Sequence, residues 1–207
     1  METDDEQIEK LKAWLKENGM SIVLGIVLGA GGIGGYNYWQ QYQQNRAAEA
    51  SVHFETLLGA LRSGDGETVQ RRADILVAEF ESTDYAQMAR LALARNYVDG
   101  GDFDQAETVL QEVVGSAGQS PLAYVARTRL AAVQIQNERF EQALATLAAD
   151  FPDGFVARVE ELRGDALASQ GQVSEARDAY RRAQGAQPGP ADAAFLKQKL
   201  DDLGAPS

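Results

Sequence analysis

A recurring alanine constrains the fold of this chain more than any other feature of its sequence. Ala73, Ala106, Ala143 and Ala176 occupy the same place in four similar segments, at spacings of 33, 37 and 33 residues. A period near 34 residues is typical of helix-turn-helix units that bury their apolar faces only by stacking on one another. The period therefore predicts about four tetratricopeptide-like repeats.

The residues around each alanine follow a common pattern. Small residues precede the three later alanines by twelve positions, at Ala94, Ala131 and Gly164, and small residues at both places would let two helices approach closely. Larger apolar residues lie three before and four after the same alanines: Phe103, Phe140 and Val173, then Leu110, Leu147 and Tyr180. The first repeat departs from this pattern, with Leu61 and Gln70 at the corresponding places, as is common in a terminal repeat.

Turn residues separate the predicted helices. Gly100-Gly101-Asp102 and Gly171 mark turns within repeats, and Ser120-Pro121 places an N-cap before a first-turn proline. A final segment, 191–203, alternates apolar with charged residues and predicts a capping helix with a polar outer face. No segment alternates with the period of two that indicates a β-strand, so the predicted fold is all-α.

An uncharged, apolar segment precedes the repeats. Residues 20–39 contain no charged side chain and end in Tyr36, Tyr38 and Trp39, aromatic residues that favour a membrane interface. The one small-x-small site, Ala48-Glu49-Ala50, lies too far downstream for signal cleavage, so the segment is interpreted as an uncleaved anchor. The predicted organisation is a cytoplasmic tail at 1–19, a transmembrane helix at 20–39, a helical connector at 40–50 and a repeat domain at 51–207.

The distribution of basic residues predicts the orientation of this anchor. Lys10, Lys12 and Lys16 precede the segment, and only Arg46 follows within twenty residues. Because cytoplasmic flanks carry the excess of lysine and arginine, the N-terminus is expected in the cytoplasm and the repeat domain in the periplasm of a bacterium.

The glycines of the apolar segment allow two interpretations. Gly29, Gly31 and Gly34 form G-x-G-x-x-G, the spacing of a dinucleotide-binding loop, but no second strand follows, so a nucleotide-dependent enzyme is the least favoured function. In a membrane helix, Gly25, Gly29 and Gly32 would share one smooth face. Such a face lets another membrane helix pack closely, and this is the preferred hypothesis.

The composition includes few side chains that are suited to catalysis. The chain has no cysteine and one histidine, His53, so neither a metal site nor a histidine-based nucleophile is expected. Its net charge of −12 opposes binding to nucleic acid. Neighbouring carboxylates, including Glu160-Glu161 and Asp201-Asp202, are interpreted as solvated surface. We therefore expect a protein without cofactor or enzymatic activity.

The repeat pattern predicts a binding groove instead. The first helix of each repeat lines the inner wall of such a superhelix, and an extended or helical peptide with apolar anchors would suit it. The pattern projects the following residues onto this wall: Met88, Leu91, Arg95 and Val98 from one repeat; Val125, Thr128, Ala132, Ile135 and Gln136 from the next; and Arg158, Glu161 and Asp165 from the last.

Several segments together resemble the YfgM family of ancillary SecYEG translocon subunits. They are LKAWLKENG, the glycine-rich segment ending GGYNYW, the alanine-rich repeats and ELRGDALASQGQVSEARDAYRRA, spread over residues 7 to 203. The resemblance implies an inner-membrane protein whose periplasmic repeats act in a chaperone-like way beside the translocon. It further implies a membrane-anchored parvulin-like prolyl isomerase as a partner. The residues alone leave open a scaffold of another envelope complex, such as one for cell division or outer-membrane assembly.

Overall fold

The computed structural model describes residues 4–118, 120–187 and 189–204, and the regular structure of these residues is entirely α-helical. The helices are α1 Asp4–Ser63, α2 Gly66–Glu79, α3 Asp84–Asp99, α4 Phe103–Ser116, α5 Pro121–Gln136, α6 Phe140–Thr146, α7 Asp153–Ser169, α8 Val173–Gly185 and α9 Pro190–Asp202. The predicted all-α fold is confirmed. The chain divides into two compact units, before and after the Glu49–Ala50 bond.

The first unit consists of the N-terminal part of α1. Among the described residues, α1 is the one helix long and apolar enough to cross a membrane, with a mean hydropathy of 1.6 over its most apolar window. No side chain of that window is buried in the protein. A helix with apolar side chains on all faces is stable in lipid and not in water, so this part of α1 has the character of a membrane span.

The second unit is a solenoid of helix pairs. The end of α1 pairs with α2, α3 with α4, α5 with α6 and α7 with α8, and α9 packs on α8. The four repeat alanines, Ala73, Ala106, Ala143 and Ala176, are all fully buried, because each lies where helices approach too closely for a larger side chain. The structure thus confirms the alanine period as the core of a repeat array.

The apolar core of the array is divided into three clusters. The first extends from Ala50 at the end of α1 to Val133 in α5, and is the largest. The second joins α5, α6 and α7 around Leu147 and Leu162, and the third joins α8 and α9 around Tyr180 and Leu196. The burial of Leu196 confirms α9 as a capping helix.

Local sequence explains the helix boundaries. The side chains of Asp65, Asp102 and Ser120 accept hydrogen bonds from backbone N–H groups in the first turns of α2, α4 and α5, which stabilises those helix starts. The turn before α4 requires a positive φ, which Gly101 adopts at 78°. Glu138 occupies the corresponding place before α6 at a φ of 56°, a conformation that strains a residue with a Cβ.

Two repeats depart from the regular pattern. Helix α2 begins at Gly66, so Gln70 lies inside the helix, where its amide oxygen accepts a 2.7 Å hydrogen bond from the hydroxyl of Tyr97. Helix α6 has only 7 residues, whereas α4 has 14. Beside this short helix, α5 packs directly on α7, as it also packs on α3.

Candidate partner-binding groove

The first helices of the repeats form a continuous wall. Helix α5 packs against α3 on one side and α7 on the other. Three depressions lie along α3, α5, α7 and α9, and each contains some of the residues that the repeat pattern assigns to a groove. We call this wall and its depressions the groove.

The first depression lies between α3 and α5 and has a volume of about 350 Å³. It brings together Arg95, Val98 and Ala132 from the sequence-derived set. The repeat pattern did not assign the remaining lining residues to the groove: Ala94, Asp99, Leu110, Arg129 and Val133. An apolar surface with a few charged groups at its edge is typical of a site for a side chain of a peptide.

The second depression, of about 440 Å³, lies where α5, α7 and α9 meet. It joins Ile135 with Asp165, although they are 30 residues apart in the sequence. The third depression, of about 450 Å³, is bordered by Arg158 and Glu161 of α7 and by Leu196 of α9. Helix α9 thus contributes to two of the three depressions, which the repeat pattern did not indicate.

Five residues of the predicted groove contribute to none of these depressions. Met88 and Val125 are half-buried, and Gln136 is exposed on the last turn of α5. Leu91 and Thr128 are buried, with exposed fractions of 6% and 8%. Leu91 belongs to the first core cluster, and the hydroxyl of Thr128 donates to the carbonyl of Val125, so both stabilise the wall from within.

The interpretation of Glu160-Glu161 as solvated surface is wrong. Both side chains are buried, and cations of α7 itself and of α8 and α9 reach them. Glu160 accepts from Arg163 and, at 2.7 Å, from Nε of Arg182 on α8. Glu161 accepts from Arg158 at 2.8 Å and from Lys199 of α9 at 2.7 Å. Asp201 and Asp202 are exposed, as expected.

Lys199 links the capping helix to α7. Its Nζ lies 2.7 Å from Glu161 and 2.7 and 2.8 Å from the two carboxylate oxygens of Asp165. Burial alone would raise the pKa of Glu161, but hydrogen bonds from Lys199 and Arg158 outweigh it and hold that pKa below its ordinary value. Burial and the hydrogen bond to Asp165 raise the pKa of Tyr180, so this hydroxyl remains a donor.

A second polar network joins the two middle repeats. The carboxylate of Glu107 on α4, which is 5% exposed, accepts from Arg139 at 2.5 Å and from Gln134 of α5 at 3.1 Å. Arg139 also donates to Asp104 at 2.7 Å. A buried carboxylate needs hydrogen-bond partners, so these donors fix the packing of α4 against α5 and α6.

Other features of the sequence have structural roles or stay predictions. His53 packs on Phe80 with ring centroids 5.5 Å apart, and its Nδ1 lies 3.2 Å from Nη1 of Arg72. Over the described ranges, no group of three or more histidine, aspartate or glutamate side chains could hold a metal ion. The glycines of G-x-G-x-x-G lie inside α1, so the strand-to-helix turn of a phosphate loop is absent there.

The proposed packing face of α1 is open. A Cβ added at Gly25, Gly29 or Gly32 would meet no other atom within 4 Å. This space is compatible with a neighbouring membrane helix, and the assignment of these glycines to such contact stays a prediction.

The fold and the groove define a tetratricopeptide-like repeat protein that has, within the part of the chain that the structure describes, one candidate membrane-spanning helix. The family model described as a tetratricopeptide repeat-like domain matches residues 12–205. Two curated relatives, from Escherichia coli (strain K12) and Haemophilus influenzae, are each named "Ancillary SecYEG translocon subunit" and are each 31% identical over 202 residues. The matches cover 98% and 97% of this chain and 97% of each relative. The chain belongs to this family of ancillary translocon subunits.

Solved structures show the same architecture for the array. MamA from Desulfovibrio magneticus RS-1, from residue 41 to its end, is 18% identical and superposes with a TM-score of 0.56. The match covers 74% of this chain and 92% of that one. At this level of identity the likeness concerns the fold alone.

Proposed function

We propose that this protein is a single-pass protein of the bacterial inner membrane whose periplasmic repeats bind protein partners at the Sec translocon. It acts as a scaffold or chaperone-like factor for translocated proteins and has no enzymatic activity of its own. Its proposed neighbours are SecYEG and a membrane-anchored parvulin-like prolyl isomerase.

The groove is the observation that carries this proposal. Its depressions follow one another along α3, α5 and α7, so an extended or helical segment could place successive side chains in them. In the groove, Arg158 and Lys199 are held in ion pairs with Glu161 and Asp165 of α7, as expected of a structural element. The names of the relatives support the translocon as the place of action.

Crosslinking in living cells tests the proposal. A photoreactive amino acid replaces Leu28 on the proposed span, which is 67% exposed, or Val98 in the α3–α5 depression, which is 37% exposed. Val173 on α8, 40% exposed and outside the groove, is the matched control. We expect translocon subunits from Leu28 and protein partners, including an isomerase, from Val98 but not from Val173. Recovery of only unrelated envelope proteins from both sites would contradict the proposal.

The glycine face of α1 offers a second test. Leucines at Gly25 and Gly29 would fill the face that a neighbouring helix is proposed to contact. Gly34 lies about 180° around the helix from Gly25, because successive residues are about 100° apart, so Gly34→Leu adds the same bulk to the opposite face. We expect the double variant to lose co-purification of membrane partners and Gly34→Leu to retain it. Equal co-purification by all variants would rule out this packing face.

A further inference from the structure

The α3–α5 depression differs from the other two in its charge balance. In those, Lys199 and Arg158 are paired with carboxylates of α7 at 2.7 to 2.8 Å. At the α3–α5 depression, Arg95 is paired with Asp99 at 3.3 Å, and both side chains are largely exposed. Arg129 forms no hydrogen bond or ion pair with any of the residues that the structure describes. This depression therefore has one arginine more than it has carboxylates.

The positive charge at this depression contrasts with the acidic character of the chain as a whole. The chain carries a net charge of −12, yet two arginines, Arg95 and Arg129, border one small depression. Arg129 is exposed, yet desolvation against the neighbouring residues and then repulsion by Arg95 lower its pKa, although an arginine stays protonated at neutral pH. An anion beside these two groups would relieve this repulsion.

The surface beside the two arginines is apolar. Val98 of α3, Leu110 of α4 and Val133 of α5 line it, together with Ala94 and Ala132. With a volume of about 350 Å³, the depression has room for a leucine- or phenylalanine-sized side chain. We call these apolar residues the floor of the depression. The floor alone would bind an apolar side chain whatever the charge of the adjacent peptide residues, whereas the two arginines add a preference for a negatively charged residue beside it.

We infer that the α3–α5 depression binds a peptide segment that places an apolar side chain on the floor and an aspartate or glutamate carboxylate against Arg129 and Arg95. This inference rests on the proposed function, in which the groove binds protein segments. The planar guanidinium of arginine matches a carboxylate with two parallel hydrogen bonds, which makes arginine more selective than a point charge. Basic segments are disfavoured at this place by the same two charges.

Three labelled peptides test this assignment. They share a neutral sequence with one leucine and differ only in a nearby position, which is aspartate, asparagine or lysine. Binding to the full chain in detergent is measured by fluorescence anisotropy. A charge-assisted, bidentate contact is expected to favour the aspartate peptide about tenfold over the asparagine peptide. The lysine peptide should bind more weakly than either.

One variant and its matched control test the role of the Arg129 charge. Arg129→Gln should reduce the preference for aspartate to about twofold or less, since Arg95 alone remains and is already paired with Asp99. The matched control is Arg181→Gln on α8, where the arginine is 60% exposed and 3.6 Å from Asp178, and the preference should persist.

Several results would overturn the inference. They are equal affinity for the aspartate and asparagine peptides, an unchanged preference in Arg129→Gln, or no binding of any peptide. Displacement of the aspartate peptide by inorganic phosphate as readily as by unlabelled peptide would identify a general anion site instead. The proposed function is judged separately, by crosslinking from Val98 in cells: if partners are recovered while the peptides show no charge preference, the scaffold role stands and this inference fails.

Discussion

The contact between Gly164 and Tyr180 makes the packing of α7 on α8 testable with a single methyl group. A Cβ built at Gly164 would lie 2.4 Å from Cε1 and 2.5 Å from Cδ1 of the Tyr180 ring. Non-bonded carbon atoms do not approach so closely, so in Gly164→Ala either the Tyr180 ring or one of the helices α7 and α8 must move. The ring is 3% exposed, and its hydroxyl donates to Asp165 at 2.7 Å, which leaves it little freedom.

We expect Gly164→Ala to destabilise the array by about 2 kcal/mol. Overpacking of a well-packed contact costs up to about 3 kcal/mol, and replacing glycine by alanine in a helix returns about 1 kcal/mol. For an array of this size, the loss corresponds to a fall in Tm of about 4 to 8 °C. The measurement is urea unfolding of the full chain in detergent, followed by far-ultraviolet circular dichroism, with thermal unfolding as a second measure.

Two further variants make this experiment decisive. Gly59→Ala is the control, because Gly59 also lies inside a helix but a Cβ there meets nothing within 4 Å, so this variant should be neutral or slightly more stable. In a Tyr180→Leu background, which removes the ring, Gly164→Ala should cost far less than in the native chain. If Gly164→Ala is as stable as Gly59→Ala, the packing argument is refuted.

Three other outcomes are expected. Glu138→Gly should raise the free energy of unfolding by about 0.5 to 1 kcal/mol, because glycine relieves the positive φ at this turn; a loss of stability on urea unfolding would contradict this. Lys199→Met should cost about 2 kcal/mol at neutral pH, since it leaves Glu161 and Asp165 without their shared cation. The pKa of Glu161 in the folded array is lower than its ordinary value of 4.5. Its contribution to the free energy of unfolding is therefore fully present above pH 4.5 and is lost as the pH falls through the lower, folded-state pKa. Lys199→Met should therefore also flatten the acid side of the stability profile, whereas an unchanged profile would count against the ion pair. Protease added to spheroplasts should digest residues 50–207 and spare a cytosolic control protein; full protection would reverse the orientation inferred from the lysines.

The repeat core was predictable because it depends on spacing along the chain. Ala106, Ala143 and Ala176 mark places where two helices of known geometry must approach, and Gly164 marks a similar place opposite Tyr180. Small residues at a fixed period therefore indicate directly where two helices approach each other closely. The helix pairs, their turns and the capping helix could therefore be inferred from one sequence.

The burial of the charged groups was harder to predict, because some of their partners lie far away along the chain. Glu161 and Lys199 are 38 residues apart and become neighbours only when α9 folds back on α7. A solvated surface was the reasonable expectation for Glu160-Glu161 from the sequence alone. Arg129 was missed for another reason: the repeat pattern identified one face of α5, and Arg129 lies at its edge beside α3.

The short helix α6 has a consequence for the order in which the array folds. The large core cluster between Ala50 and Val133 can form as soon as α5 has emerged, because it needs nothing that follows. The seven residues of α6 add little to this cluster, and the next cluster must wait for α7. The array is therefore expected to form in two cooperative steps, with α1 to α5 completed first and α7 to α9 added afterwards. Until α7 is added, the apolar face of α5 around Ala131 and Ile135, which α7 later covers, stays exposed.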